Sequence, residues 1–307
     1  MDRLAEEAVD AINAIAGRHE GHRAAHAKGT LVTGTFTPAD AGLTTAAHMG
    51  SEPVRVTARF SNGGGSPAIP DYAREGRGLA VKFYLPDGSK TDIVALNLPC
   101  FFARTPEDFL EFTRARKPDP ETGQPDFAKV GAWLEKYPEA GPSIQAAVSA
   151  EPPESYATVL YNSIHAFRWT APDGTERWVR YCFEPEEGER TLSDEDAKAR
   201  GRDYLQEELA GRGSTAFRFV VVIAGDGDVV DDATVEWPSG RERVEVGRLE
   251  LTGLETEREQ GGDILVFDPT RVTDGIEPSD DPILLFRPRA YSASVTRRTG
   301  APAPASA

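Results

Sequence analysis

His26 lies in the run Arg23-Ala-Ala-His26-Ala-Lys-Gly29, just ahead of an apolar stretch that starts at Thr30. Imidazole is the side chain whose ordinary pKa, about 6.5, lets it take and give a proton near neutrality. Far along the chain Arg287 and Tyr291 stand four residues apart. On a helix that spacing stacks them one turn apart, so the guanidinium can donate to the phenol oxygen. By residue type alone the two read more readily as an ordinary amphipathic helix pair. The other histidines are His19, His22, His48 and His165, and the cysteines are Cys100 and Cys182. Together they make no Cys/His zinc pattern and no CxxC pair, which argues against a structural zinc site or a disulfide scaffold.

These residues must be positioned by a core, and the chain is long enough to have one. It has 307 residues, 39% hydrophobic and 27% charged, the make-up of an ordinary globular protein. The net charge of -16 argues against nucleic-acid binding, which needs Lys and Arg to displace counterions. No apolar run approaches the roughly 20 residues of a membrane span, and the N-terminus lacks a secretory pattern. The expected location is therefore the cytoplasm, with no membrane partner.

Leu4, Ala8, Val9, Ile12 and Ile15 recur at helical spacing. Strands are expected at Thr30–Phe36, Val54–Phe60, Leu79–Leu85 and Ile93–Leu98. Thr105-Pro106 opens a helix, and further helical stretches near Phe127–Tyr137 and Ser143–Ala150 form an insertion. Thr158–Thr170 and Arg177–Phe183 read as a hairpin across Pro172-Asp173-Gly174. A helix is expected from Ser193 to about Leu209. Strands follow at Ala216–Ile223, Arg241–Leu251 and Ile264–Phe267, and Pro282–Arg298 closes the chain. Strands on both sides of a helical block indicate one α+β domain over residues 1–300, built on an antiparallel barrel. The Ala/Pro tail, 301–307, is expected to be disordered.

Several segments resemble the haem catalases in the same order. Arg23-x-x-His26-Ala-Lys-Gly29 resembles the segment of their distal histidine, and Arg59-Phe60-Ser61 their Arg-Phe-Ser strand. Gly76-Arg-Gly-Leu-Ala-Val-Lys-Phe-Tyr84 and Pro99-Cys-Phe101-Phe102-Ala-Arg104 are similar to two further signatures. Tyr161-Asn-Ser-Ile-His165 and Arg287-x-x-x-Tyr291 complete the set. The resemblance spans roughly residues 20 to 299 and matches the catalase-related peroxidases, a minimal catalase core ending in a haem-ligand helix.

It implies haem b held through Tyr291, whose phenolate the iron and Arg287 would stabilise. It also implies His26 as the proton shuttle on peroxide, oriented by Ser61. Arg23, Arg59 and Arg298 would meet the propionates, although Arg297 competes with Arg298 for that place. Phe109 falls where a phenylalanine stacks on the haem, while Phe101 and Phe102 are as well explained by core packing. His165 and Asp281 would extend a Tyr–Arg–His–Asp chain behind the iron.

One departure matters. Anchored on Pro99, the asparagine that catalases set beside the distal histidine falls on Leu96, and Asn97 aligns with a second asparagine. Leucine cannot hydrogen-bond peroxide. That favours a peroxidase, with a peroxide substrate and a small-molecule electron donor. A bulge turning Asn97 inward would restore a small true catalase. An allene oxide synthase-like rearrangement and a haem-binding barrel without turnover are the other readings. The catalase tetramer is not carried over, because its interlocking arm is missing, and a homodimer is the assembly expected.

Overall fold

The structure, a computed structural model, describes residues 2–39, 41–256 and 264–300. Four strands, β1 (Gly29–Pro38), β2 (Val54–Asn62), β3 (Arg77–Tyr84) and β4 (Lys90–Leu96), form an antiparallel meander. β5 (Tyr161–Asn162), β7 (Glu176–Pro185), β8 (Thr215–Ile223) and β9 (Arg243–Leu254) continue it. β9 pairs with β1, and β7 pairs with both β5 and β8, so eight strands close into a barrel without free edges. β6 (Phe167–Thr170) and β10 (Ile276–Pro278) extend the sheet outward from β7.

Alternation explains what fills the barrel. Val56, Ala58 and Phe60 of β2 point inward with Leu79, Val81 and Phe83 of β3, and all are fully buried. Phe36 meets Phe83 edge-on at 5.3 Å, and Phe183 stacks on Phe219 at 4.9 Å. Each such ring contributes about 1.5–3 kcal/mol by leaving water. On the outward face of β2 Arg55 is exposed, but Thr57, Arg59 and Ser61 are buried too. A strand buried on both faces but apolar on one marks where other elements cover polar side chains.

Those covering elements are the segment around His26 and the helices at the two ends of the chain. α1 (Arg3–Ala16) packs against α2 (Pro106–Ala115) and against the last helix, α7 (Pro282–Thr299). Ala5, Ala8 and Val9 join Phe286 and Ala293 in one apolar cluster. Ion pairs Asp2–Arg289, Glu7–Arg114 and Asp10–Arg297, each 2.7 Å, rim this contact. Being exposed, each contributes at most about 1 kcal/mol. The insertion comprises α2, α3 (Phe127–Lys136) and α4 (Gly141–Ser149), and α5 (Asp194–Ala199) and α6 (Tyr204–Gly211) follow β7.

Three expected elements differ. The single helix from Ser193 breaks into α5 and α6 at Gly201, whose φ of +105° no helix accommodates. Thr158–Thr170 is not one strand: the chain pairs at β5, leaves the barrel, and resumes at β6, and the jog between them carries His165. Ile264–Phe267 pairs with no strand; Arg23 instead donates to the Leu265 carbonyl at 2.7 Å, and the following Asp268 amide caps buried Asp92 at 2.9 Å. The expected tail lies outside the described residues. No described helix is long and apolar enough to cross a membrane.

Candidate active site

The strand flank of the site begins with Ser61, whose register neighbours are Gly29 on β1, Gly78 on β3 and, one strand further, Leu96 on β4. Residues paired across antiparallel strands share a face. Ser61 Oγ lies 2.9 Å from His26 Nδ1. The glycines make this contact possible. A Cβ on Gly78 would stand 2.8 Å from Ser61 Oγ and 3.1 Å from His26 Nδ1, and one on Gly29 would strike Arg59 at 2.6 Å.

His26 itself is strained. Its φ of +54° makes it the one non-glycine residue with positive φ among the described residues. That conformation costs roughly 1–2 kcal/mol. Hydrogen bonds hold it there: the His26 and Ala27 amides donate to the carbonyls of Gly63 and Gly64 at 3.2 and 3.0 Å. Arg59 reaches back to the His26 carbonyl at 2.9 Å. The residue keeps some solvent exposure, but burial of the ring, followed by the charges of Arg59, Arg287 and Arg23, pulls its pKa down to about 3. At neutral pH the imidazole is uncharged and able to accept a proton.

The helix flank starts at Asp281, which caps α7. Its Oδ1 accepts from the amides of Ile283 and Leu284 at 2.8 and 3.3 Å, and Pro282 occupies the first turn. Its Oδ2 lies 2.7 Å from His165 Nδ1, with both residues buried. Burial raises the Asp281 pKa, but the bond to His165 and the helix amides outweigh it and hold the group below its ordinary value. Burial lowers His165 in spite of Asp281. The pair is thus a carboxylate and a neutral imidazole, with Nδ1–H donating. One turn into the helix Arg287 Nε donates to the Tyr291 hydroxyl at 2.7 Å.

The structure therefore makes two of the three links of the expected Tyr–Arg–His–Asp chain. His165 Nε2 is buried without a hydrogen-bond partner, although the charge of Arg287 acts on the ring. Arg297 grips Asp10 at 2.7 and 3.0 Å, and both Arg297 and Arg298 line a small hollow with Asn13, His22 and Ser294. Phe109 packs into the cluster that joins Ala24 to Phe286, between the His26 segment and α7.

Asn97 is not bulged toward His26. Strands β3 and β4 keep regular register, Leu96 shares the face of Gly78 and Ser61, and Asn97 Oδ1 accepts from the Arg77 amide at 2.6 Å. Residue-by-residue reading passed over Gly78 and Gly29. A glycine inside a strand, next to a serine's register position, is the signal that identifies such a clearance.

A catalase-family profile matches residues 8–303. A catalase-related peroxidase of Mycolicibacterium paratuberculosis is 46% identical, covering 96% of this chain and 95% of the relative. One of Synechococcus elongatus is 36% identical, over 96% and 88%. The crystal structure of a fungal catalase superposes with a TM-score of 0.81 at 26% identity, covering 91% of this chain and 60% of the other. Catalase A from Saccharomyces cerevisiae gives 0.77 at 25%, over 90% and 60%. The chain thus spans about three fifths of those full-length catalases and nearly all of the catalase-related peroxidases. By sequence over almost its whole length, and by a closed barrel of the same shape, this chain belongs to the catalase family.

Proposed function

We propose that the chain is a peroxidase that binds haem b and reduces hydrogen peroxide or an organic hydroperoxide with electrons from a small donor. The family and the catalase-related peroxidases that match nearly full length support the activity. The observation that carries the site is a contact: the Ala24 amide donates to Ser294 Oγ at 3.3 Å and Ala24 packs in one cluster with Phe286, so the His26 segment lies against the helix that carries Arg287 and Tyr291.

The residues there fit a haem. The Gly78 clearance lets the His26 ring sit against Ser61, as a proton-shuttling histidine requires, and a phenol backed by a guanidinium suits a hard Fe(III) ion. Arg23, Arg59 and Arg298 supply guanidiniums for two carboxylates. When bound, the haem would supply the iron centre that takes up the oxidising equivalents of the O–O bond.

The chain's own residues do the rest. Ser61 fixes the His26 ring by its Nδ1, leaving Nε2 to take the proton from one peroxide oxygen and return it to the other, so that water or alcohol leaves. The depressed pKa keeps His26 ready to accept. Tyr291 would hold the iron through its oxygen, with Arg287 donating to that oxygen and Asp281–His165 anchoring the helix start. Leu96 on the face of Ser61 leaves no amide to orient a second peroxide, which favours an outside donor over disproportionation. We further read residues 1–300 as one working unit, acting in the cytoplasm as a homodimer.

The test is to load the protein with haem and titrate it with hydrogen peroxide and an alkyl hydroperoxide, with and without a reducing dye. A high-spin ferric spectrum that Tyr291→Phe abolishes, and dye oxidation with little oxygen release, are expected. Vigorous oxygen release would make it a small catalase, and no haem uptake would end the reading.

A further inference from the structure

The strained backbone of His26 needs a firm support, and the residues that touch it are ill suited to give one. The carbonyls that accept from the His26 and Ala27 amides belong to Gly63 and Gly64, in the run Gly63-Gly64-Gly65 that leaves β2. Glycine has the widest backbone freedom of any residue, so three in succession do not keep a set shape by themselves. Nor can they be stiffened by larger residues: a Cβ on Gly65 would stand 2.3 Å from the Ala24 carbonyl. A left-handed histidine persists only where its surroundings fix it more than once over. That support comes from further along the same loop.

Asp71 lies in the loop between β2 and β3 and is fully buried. Its Oδ1 accepts from Lys28 Nζ and from Asn62 Nδ2, each at 2.7 Å. Lys28 comes two residues after His26, and Asn62 one residue after Ser61. The Asn62 amide also donates to the Lys28 carbonyl at 3.0 Å, so the two residues stand side by side. One carboxylate oxygen therefore joins the chain that carries the histidine to the chain that carries its serine. Oδ2 accepts from the Leu205 amide at 2.9 Å in the first turn of α6, and the Asp71 carbonyl accepts from Arg77 at 2.7 Å. Lys28 itself is enclosed by oxygens: besides Asp71 it meets Asp203 at 2.6 Å and the carbonyls of Ile69 and Arg202 at 3.2 and 3.1 Å. Hydrogen bonds to a charged group are about twice as strong as neutral ones, which makes this buried clamp stiff. Consecutive strand residues point to opposite faces, so a clamp on Asn62 stands behind Ser61 and the site.

We propose that Asp71 is a positioning residue for the peroxide reaction. By joining Lys28 to Asn62 it fixes the glycine loop, and the loop keeps the His26 ring on Ser61. The proposal rests on the peroxidase reading above, with His26 as its proton shuttle. Asp71 gives and takes no proton in the reaction and acts only through His26. Its loss therefore leaves the haem and the Tyr291 flank as they are and slows the one step that uses the histidine.

The test follows the haem-loaded protein mixed with hydrogen peroxide in a stopped-flow spectrometer. Asp71→Asn keeps the shape of the side chain and removes its charge, while Asp203 still compensates Lys28, so the variant should fold. Its resting spectrum should match the wild type, and its first peroxide-dependent step should be about tenfold slower or more, the scale of a slight misplacement. In the His26→Ala background the same substitution should change that step by less than about twofold, because two residues that act as one are not additive. Asn62→Ala cuts the clamp without touching a charge, and decides the question if Asp71→Asn does not fold. It should slow the step about threefold or more, the scale of one hydrogen bond, again only where His26 is present. A full rate in the folded variant, or an equal slowing with and without His26, overturns the proposal while leaving the peroxidase reading intact. A wild type that oxidises no dye with peroxide removes both.

Discussion

His26 is held by strands and strain, whereas Tyr291 is held by a helix and its cap. On the strand flank a left-handed histidine is pinned by backbone hydrogen bonds and faces Ser61 across two glycines. On the helix flank Asp281 ties the first turn of α7 to His165, and the i,i+4 spacing delivers Arg287 to Tyr291. The charges differ likewise. Burial, backed by three guanidiniums, keeps the histidine neutral, while the bond to His165 and the helix amides keep the carboxylate of Asp281 ionised. On the proposed function the strand flank moves a proton and the helix flank holds a position, so damage to the two should read out differently.

The largest expected effect is a split between two variants. His26→Ala should slow peroxide-driven dye oxidation about 100-fold to 10,000-fold, the usual scale of a lost acid–base group. Tyr291→Phe should instead change the resting haem spectrum. Next, Gly78→Ala should disturb the strand flank alone: stopped-flow rates should fall at least about tenfold, because a 1 Å misplacement costs that much or more. A spectrum altered as in Tyr291→Phe would contradict the division.

Asp281→Ala acts on the other flank. Loss of the cap costs about 1 kcal/mol, and a buried His165 left without its partner about 1–3 kcal/mol more. Urea denaturation should register the sum. Since the folded pKa of Asp281 is depressed, its stabilisation is present above the unfolded value near 3.9 and is lost as pH falls through the folded one.

The smallest effects concern pH near neutrality. With His26 at about 3, the rate should show no acid limb around pH 6.5, in contrast to a solvated histidine. The same depressed pKa makes stability fall as pH drops from 6.5 toward 3, because the unfolded chain binds the proton first. His48 adds to this: it is buried beside Phe36 and Phe83 without a hydrogen-bond partner, and burial lowers it to about 4. His48→Phe should therefore flatten acid unfolding, by up to about 3 kcal/mol at pH 4.

Much of this was legible in the sequence because the relevant contacts are local or set by alternation. The Arg287–Tyr291 pair follows from helical spacing, and the inward Val56-x-Ala58-x-Phe60 leaves Arg59 and Ser61 on the other face. Register was not legible: Leu96 reaches the face of Ser61 only through two strand pairings that depend on the closed barrel. The break at Gly201 was hidden by good helix formers on either side. The jog that brings His165 to Asp281, 116 residues away, depends on β10 and β6 pairing outside the barrel, which no local pattern encodes.

The most direct test of the account is single-turnover kinetics of haem-loaded His26→Ala against the wild type, mixed with hydrogen peroxide in a stopped-flow spectrometer. The account predicts the same resting spectrum in both and a first peroxide-dependent step at least about 100-fold slower in the variant. Equal rates from equal resting spectra would contradict the role given to His26, and with it the division of the site into a flank that moves a proton and a flank that holds one place.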